Sequence, residues 1–143
     1  MSLFCEEGPP ILTVMTREVL TAKPDETVGS VVKRMAEKGA GSVVVVNDEG
    51  KPIGIFTERD LLVKVVGEGR SLDAKLSEVM TPDPIVAKPD WSLARALEIM
   101  VHYGFRHLPV VGDDGRLVGI VSIKDLAKAL SGEIDVDELH AAG

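Results

Sequence analysis

Two short stretches carry the residues whose types and spacing could do chemistry. Gly54-Ile55-Phe56-Thr57-Glu58-Arg59-Asp60 returns at a shift of 65 as Gly119-Ile120-Val121-Ser122-Ile123-Lys124-Asp125. Each reads as the end of a buried strand, a hydroxyl residue at the turn, and a helix start with a basic residue followed by Asp. The first amide N–H groups of a helix lack intrahelical acceptors and carry a partial positive charge, so a phosphate is favoured near Thr57 or Ser122. Arg59 and Lys124 stand in the same first turn. The hydroxyl-x-x-Asp spacing is also that of a capping box, with Asp in place of the more usual Glu. Ligand contact and helix capping are both open on these residues alone, and one hydroxyl is able to serve both.

The elements that must position these residues repeat with them. Val14-Met15-Thr16 matches Val79-Met80-Thr81, and Ala22-Lys23-Pro24-Asp25 matches Ala87-Lys88-Pro89-Asp90. Met35 falls on Met100, Gly39 on Gly104, Val45-Val46 on Val110-Val111, and Asp48 and Gly50 on Asp113 and Gly115. In the first copy the patterns predict a strand at Val19–Thr21, then a helix through Val28, Val31, Val32 and Met35, capped by Asp25 or Thr27 and stopped by Gly39. Val43–Val46 is an apolar run of the kind covered on both faces. Asn47-Asp48-Glu49-Gly50 is a hairpin turn, Pro52–Phe56 the return strand, and Glu58–Val66 a helix. The second copy predicts strands at Ile85–Val86, Leu108–Val111 and Leu117–Val121, with helices at Leu93–Val101 and Lys124–Leu130.

Each repeat is therefore β-α-β-β-α, and the class is α/β in composition, more strictly α+β. Repeat 1 is expected at 12–68 and repeat 2 at 77–131, with extensions at 1–11 and 132–143. The last extension holds a short amphipathic pattern of Ile134, Val136 and Leu139. A unit of roughly 50 residues is near the lower limit for burying enough apolar surface alone, so the repeats are expected to pack sheet to sheet about a pseudo-twofold axis.

Composition narrows the function classes. The chain has 143 residues, 45% hydrophobic and only 3% aromatic, so its core must be built from Val, Leu, Ile and Ala. Lys+Arg 16 against Asp+Glu 23 gives a net charge of −7, which argues against nucleic acid as the general partner. A small phosphate ligand needs only a few local cations. The single cysteine, Cys5, excludes an intramolecular disulfide framework and fits a reducing compartment. No apolar run approaches the ~20 residues of a bilayer span, and the first residues lack a signal-peptide pattern; a cytoplasmic location is expected.

On Val14-Met15-Thr16, Gly54–Asp60, Val79-Met80-Thr81-Pro82, Arg106-His107-Leu108-Pro109-Val110-Val111 and Gly119–Asp125, the chain resembles a tandem pair of CBS (cystathionine β-synthase) domains, a Bateman module. The resemblance covers about residues 12–130. It implies regulatory binding of an adenine nucleotide between the repeats, AMP first, with ADP, ATP or an S-adenosylmethionine-type ligand as further members of the class. It also implies a homodimer and a separate regulated protein. By resemblance, Asp60 and Asp125 bind ribose hydroxyls, and a carboxylate does accept from two vicinal hydroxyls at once. Thr57 and Ser122, with Arg59 and Lys124, would meet phosphate. The adenine would be framed by first-strand segments, Leu20-Thr21-Ala22 in one copy and Ile85-Val86-Ala87 in the other, and Pro109 belongs to the matching run. Arg106 and His107 would add cations where the first copy has Gly41 and Ser42, which points to unequal sites, the one near Asp125 being better furnished. His107 stands where many members of the family carry Arg. The alternative is a structural dimerisation module indifferent to nucleotide.

The remaining conspicuous residues have plainer readings. Met35 and Met100 are core at helical spacing. Lys23 and Lys88 are turn residues before proline. Trp91, matched by Glu26, is a packing or dimer contact. His102, His107 and His140 lack zinc spacing, and the acidic turns lack the order of a calcium loop. No nucleophile–base arrangement or Walker-type loop is present, so neither an enzyme nor a metal site is expected.

Overall fold

The computed structural model describes residues 8–131; Cys5, His140 and the pattern of Ile134, Val136 and Leu139 lie outside them. Helix α1 (Val28–Lys38) starts at Thr27, whose hydroxyl accepts the Ser30 N–H at 3.2 Å, so Thr27 and not Asp25 is the cap. Helix α3 (Leu93–Tyr103) starts in the same way at Ser92, which accepts the Arg95 N–H at 3.1 Å. Both end on a left-handed glycine, Gly39 at φ +64° and Gly104 at φ +76°, a conformation that a Cβ would strain.

The first sheet has the order β1-β2-β3-β4. Strand β2 (Ser42–Val46) is its centre, with Val43–Val46 all buried. Strand β1 (Thr21–Ala22) runs parallel to it, and β3 (Pro52–Thr57) antiparallel, pairing Ser42 with Thr57 and Val43 with Phe56. Strand β4 (Thr81–Pro82), from the chain after repeat 1, adds a fourth strand beside Gly54 and Ile55. The second sheet pairs β5 (His107–Val111) with β6 (Leu117–Ser122).

Two local expectations need correction. Ile85–Val86 forms no strand: only Ala87 bridges Val110, through Ala87 N–H to Pro109 carbonyl and Val111 N–H to Ala87 carbonyl, each 2.9 Å. The reason lies at position 109. In the first repeat the Val44 N–H donates to Leu20, but its counterpart Pro109 has no N–H to give Ile85. The helix after Thr57 is also not α throughout. Helix α2 (Glu58–Asp60) is a single turn that widens into a π-helical stretch at Leu61–Val66, closed by the Gly67 N–H on the Leu62 carbonyl at 2.8 Å. Its partner in repeat 2, α4 (Ile123–Ser131), is regular α.

The chain packs as two compact units that do not follow the sequence repeats. One comprises described residues 8–18, 85–114 and 118–131, the other 19–84 and 115–117. Ile11, Val14 and Met15, at the opening of repeat 1, are buried with Ala87, Leu93, Ala96, Met100, Leu108, Val110, Val121 and Leu126 of repeat 2. Leu76 and Val79, at the opening of repeat 2, are buried with Val28, Val31, Met35, Val43, Val45 and Phe56 of repeat 1. Each core needs one such apolar segment. The linker folds straight back onto repeat 1, leaving the N-terminal segment to complete repeat 2. Among the described residues no helix is long and apolar enough to cross a membrane.

Candidate functional site

The two hydroxyl-x-x-Asp elements occupy equivalent positions, one in each unit. Each helix start is tied to the residue before the middle strand, by Glu58 N–H to the Gly41 carbonyl at 3.1 Å and by Ile123 N–H to the Arg106 carbonyl at 2.8 Å. That tie brings Arg106 beside Ser122, Lys124 and Asp125. Pro109 and half-buried His107 follow in β5, and Ala87, hydrogen-bonded to Pro109, has Ile85 and Val86 just before it in the chain. In the other unit Thr57 and Asp60 stand at the end of β3, with β2 between them and Thr21-Ala22 of β1. Arg59, Lys124 and Arg106 are exposed.

The carboxylates differ. Asp60 is buried and closes a full capping box: its Oδ2 accepts the Thr57 N–H at 3.0 Å and the Thr57 hydroxyl at 3.2 Å, while the Thr57 hydroxyl accepts the Asp60 N–H at 3.2 Å. Its Oδ1 faces Lys64 Nζ at 3.2 Å. In the second copy only half of the box forms. The Ser122 hydroxyl accepts the Asp125 N–H at 3.2 Å, and among the described residues the Asp125 carboxylate takes no hydrogen bond or ion pair. Asp125 is half-buried, so its charge is partly withdrawn from water with no partner cation among the described residues.

The first-strand segments differ in the same sense. The Thr21 carbonyl accepts Arg34 Nη1 at 3.0 Å, and Arg34 Nη2 pairs with Glu26 Oε1 at 2.6 Å. The second copy has Val86, Ile99 and Trp91 at these positions, so no such clamp is built there. Trp91 instead packs on the core of its unit, accepts the Ile11 N–H on its carbonyl at 2.8 Å and carries Arg95 4.2 Å above its ring. Lys23 and Lys88 are more than turn residues: each donates its ammonium to a hairpin carbonyl, of Asn47 and Gly112, at 2.9 Å.

Lys64 and Arg34 were not among the residues singled out from the sequence. The Asp60–Lys64 spacing of four along a helix was a legible signal. The Arg34–Thr21 contact was not, beyond the fact that positions 26, 34 and 64 are places where the repeats differ.

Comparison with known proteins agrees with the doubled element. The CBS-domain family matches residues 11–67 and again 76–132. The chain belongs to the CBS-domain family. An uncharacterized protein of Methanopyrus kandleri is 42% identical over 114 residues, which cover 79% of this chain and 58% of that one, so the chain spans little more than half of that relative's length. Among solved structures, a CBS-domain protein from Burkholderia ambifaria superposes with a TM-score of 0.77 at 36% identity, covering 86% of this chain and 92% of the other. The structure of the CBSX2 protein in complex with AMP superposes with a TM-score of 0.76 at 25% identity, covering 88% and 98%. The chain is thus a tandem CBS pair of α+β architecture with two sheets.

Proposed function

We propose that this CBS pair is a regulatory binding module for an adenosyl ligand, AMP first, with ADP, ATP and S-adenosylmethionine in the same class. The observation that carries this reading is the half-buried Asp125 carboxylate at the start of α4, unpartnered among the described residues and tied through the Arg106 carbonyl to a cation-bearing lead-in. Such a carboxylate accepts from both hydroxyls of a ribose, and the Ser122 helix start with Lys124 and Arg106 favours phosphate. Ile85, Val86 and Ala87 would frame the base, beside His107 and Pro109. The related CBSX2 chain bound to AMP gives independent support for the ligand class.

Binding regulates by differential affinity for two arrangements of the module. A homodimer and a separate regulated protein are the partners of this reading. Exposed Leu62, Val63 and Val66 in one unit, and Val101 and Tyr103 in the other, offer apolar surface for self-association; sedimentation of the purified protein at monomer mass would remove the dimer from it.

Calorimetric titration with AMP, then ATP and S-adenosylmethionine at fixed salt, tests the function. Saturable binding that Asp125→Asn abolishes, with Arg106→Ala weakening it, is the expected result. The complete capping box of Thr57 and Asp60 favours a second reading, a structural module, for that element at least. A folded protein silent toward all three ligands would extend the structural reading to the whole chain.

A further inference from the structure

We infer that Lys64 serves as a built-in substitute for ligand at the first-repeat element, so that the module takes one adenosyl ligand per chain, at Asp125. The inference rests on the adenosyl-ligand reading of the second-repeat element. An ionised carboxylate offers about four acceptor positions. At Asp60 three are filled from within the chain, by the Thr57 N–H, the Thr57 hydroxyl and the Lys64 ammonium. A vicinal diol brings two donors, so it must displace either the ammonium or half of the capping box. Because Asp60 is buried, opening the box would cost the Thr57 groups their acceptor, and displacing the ammonium would break its ion pair with the carboxylate.

The clamp of Arg34 on the Thr21 carbonyl removes a further acceptor from the segment that would frame a base, and the Glu26 carboxylate holds that guanidinium in place. None of the three clamping residues survives the shift of 65. Lys64 becomes Ala129, Arg34 becomes Ile99 and Glu26 becomes Trp91. The first copy supplies cations of its own at these positions; the second has none at the matching ones. Lys64 is therefore a specificity-determining residue that sets how many ligands the pair accepts.

The test is the stoichiometry of AMP binding to the full chain. The wild type is expected to bind one equivalent, lost in Asp125→Asn and kept in Asp60→Asn. The Lys64→Met/Arg34→Met variant, which keeps the apolar stems and removes both cations, is expected to gain a second equivalent. That gain should vanish when Asp60→Asn is added. Two equivalents in the wild type, or a single equivalent that depends on Asp60 and not on Asp125, would overturn the inference, as would a folded double variant that still binds only one. Should that variant not fold, the wild-type amide resonances decide. Those of Thr57 and Asp60 unmoved at saturating AMP support the inference; those moving as far as Ser122 and Asp125 overturn it. Wild-type silence toward AMP, ATP and S-adenosylmethionine would overturn the functional reading itself, and the one-ligand inference with it.

Discussion

Lys64 Nζ lies 3.2 Å from Oδ1 of Asp60, and the residue that matches it beside Asp125 is Ala129. With the complete capping box at Asp60 and the half-formed one at Asp125, this difference makes two chemically distinct carboxylates of a repeated motif, the first satisfied within the chain and the second open among the described residues.

The distinction has a stability signature. Removing an N-cap hydroxyl costs about 0.5–2 kcal/mol, toward the upper end when the interaction is reciprocal and shielded. Thr57→Ala is expected to destabilise the protein more than Ser122→Ala, because Thr57 takes part in a complete box and Ser122 in half of one. Urea unfolding of the two variants, compared at constant m-value, checks the order. Equal losses would mean that the reciprocal bond from Asp60 adds nothing.

Lys64→Met should be mild in comparison. The Lys64 side chain is about one-third exposed while that of its carboxylate partner is largely buried, so screening reduces the pair to roughly 0.5–1 kcal/mol. Added salt should narrow the gap between this variant and the wild type. A loss of several kcal/mol, insensitive to salt, would show that the lysine stem and not its charge is what matters.

Gly54 and Gly119 each face a methionine of the exchanged segment. A Cβ at Gly119 would lie 2.8 Å from Met15 Sδ and 3.0 Å from the Thr16 carbonyl, whereas at Gly54 the three nearest atoms all belong to the side chain of Met80. Overpacking of this kind typically costs about 1–3 kcal/mol. Gly54→Ala should therefore be rescued in part by Met80→Ala, read as a favourable coupling in a double-mutant cycle. Gly119→Ala should resist rescue by Met15→Ala, since backbone also stands in the way. Equal rescue at both sites would sink this account.

Deletion of residues 1–16 should loosen repeat 2 and spare repeat 1, although the deleted stretch adjoins repeat 1 in sequence. It removes Ile11, Val14 and Met15 from one core, and with them the paired hydrogen bonds between Thr16 and Ile120 at 2.9 and 3.0 Å. Hydrogen exchange is expected to quicken at Ile120, Val121 and along α3, while the β2–β3 amides keep their protection. A first loss of protection in β2 would contradict the exchange. The single change Ile11→Ala, at a fully buried position, should cost about 2–5 kcal/mol by the same measure.

Much of this was legible in the sequence. The helices, the strands Val43–Val46 and Leu108–Val111, the hairpin turns and the glycine stops followed from apolar period and turn chemistry, which act over a few residues. The shift of 65 exposed the tandem pair and the two carboxylates. Even the loss of a strand at Ile85–Val86 was implicit in Pro109, because a residue without an N–H cannot continue the ladder.

Which segment completes which core was decided only in three dimensions. The motifs Val14-Met15-Thr16 and Val79-Met80-Thr81 are near copies, and nothing within them says that the first closes repeat 2 and the second repeat 1. The sidedness of Asp60 and Asp125 was settled in the same way. Both sit in the same local pattern, but whether a carboxylate is free depends on where an ammonium and a guanidinium end up. Arg34 reaches the carbonyl of Thr21 across 13 residues of chain. Local sequence writes secondary structure because backbone hydrogen bonding and side-chain period are short-range. The charge state and vacancy of a site are sums over neighbours that only the folded chain brings together.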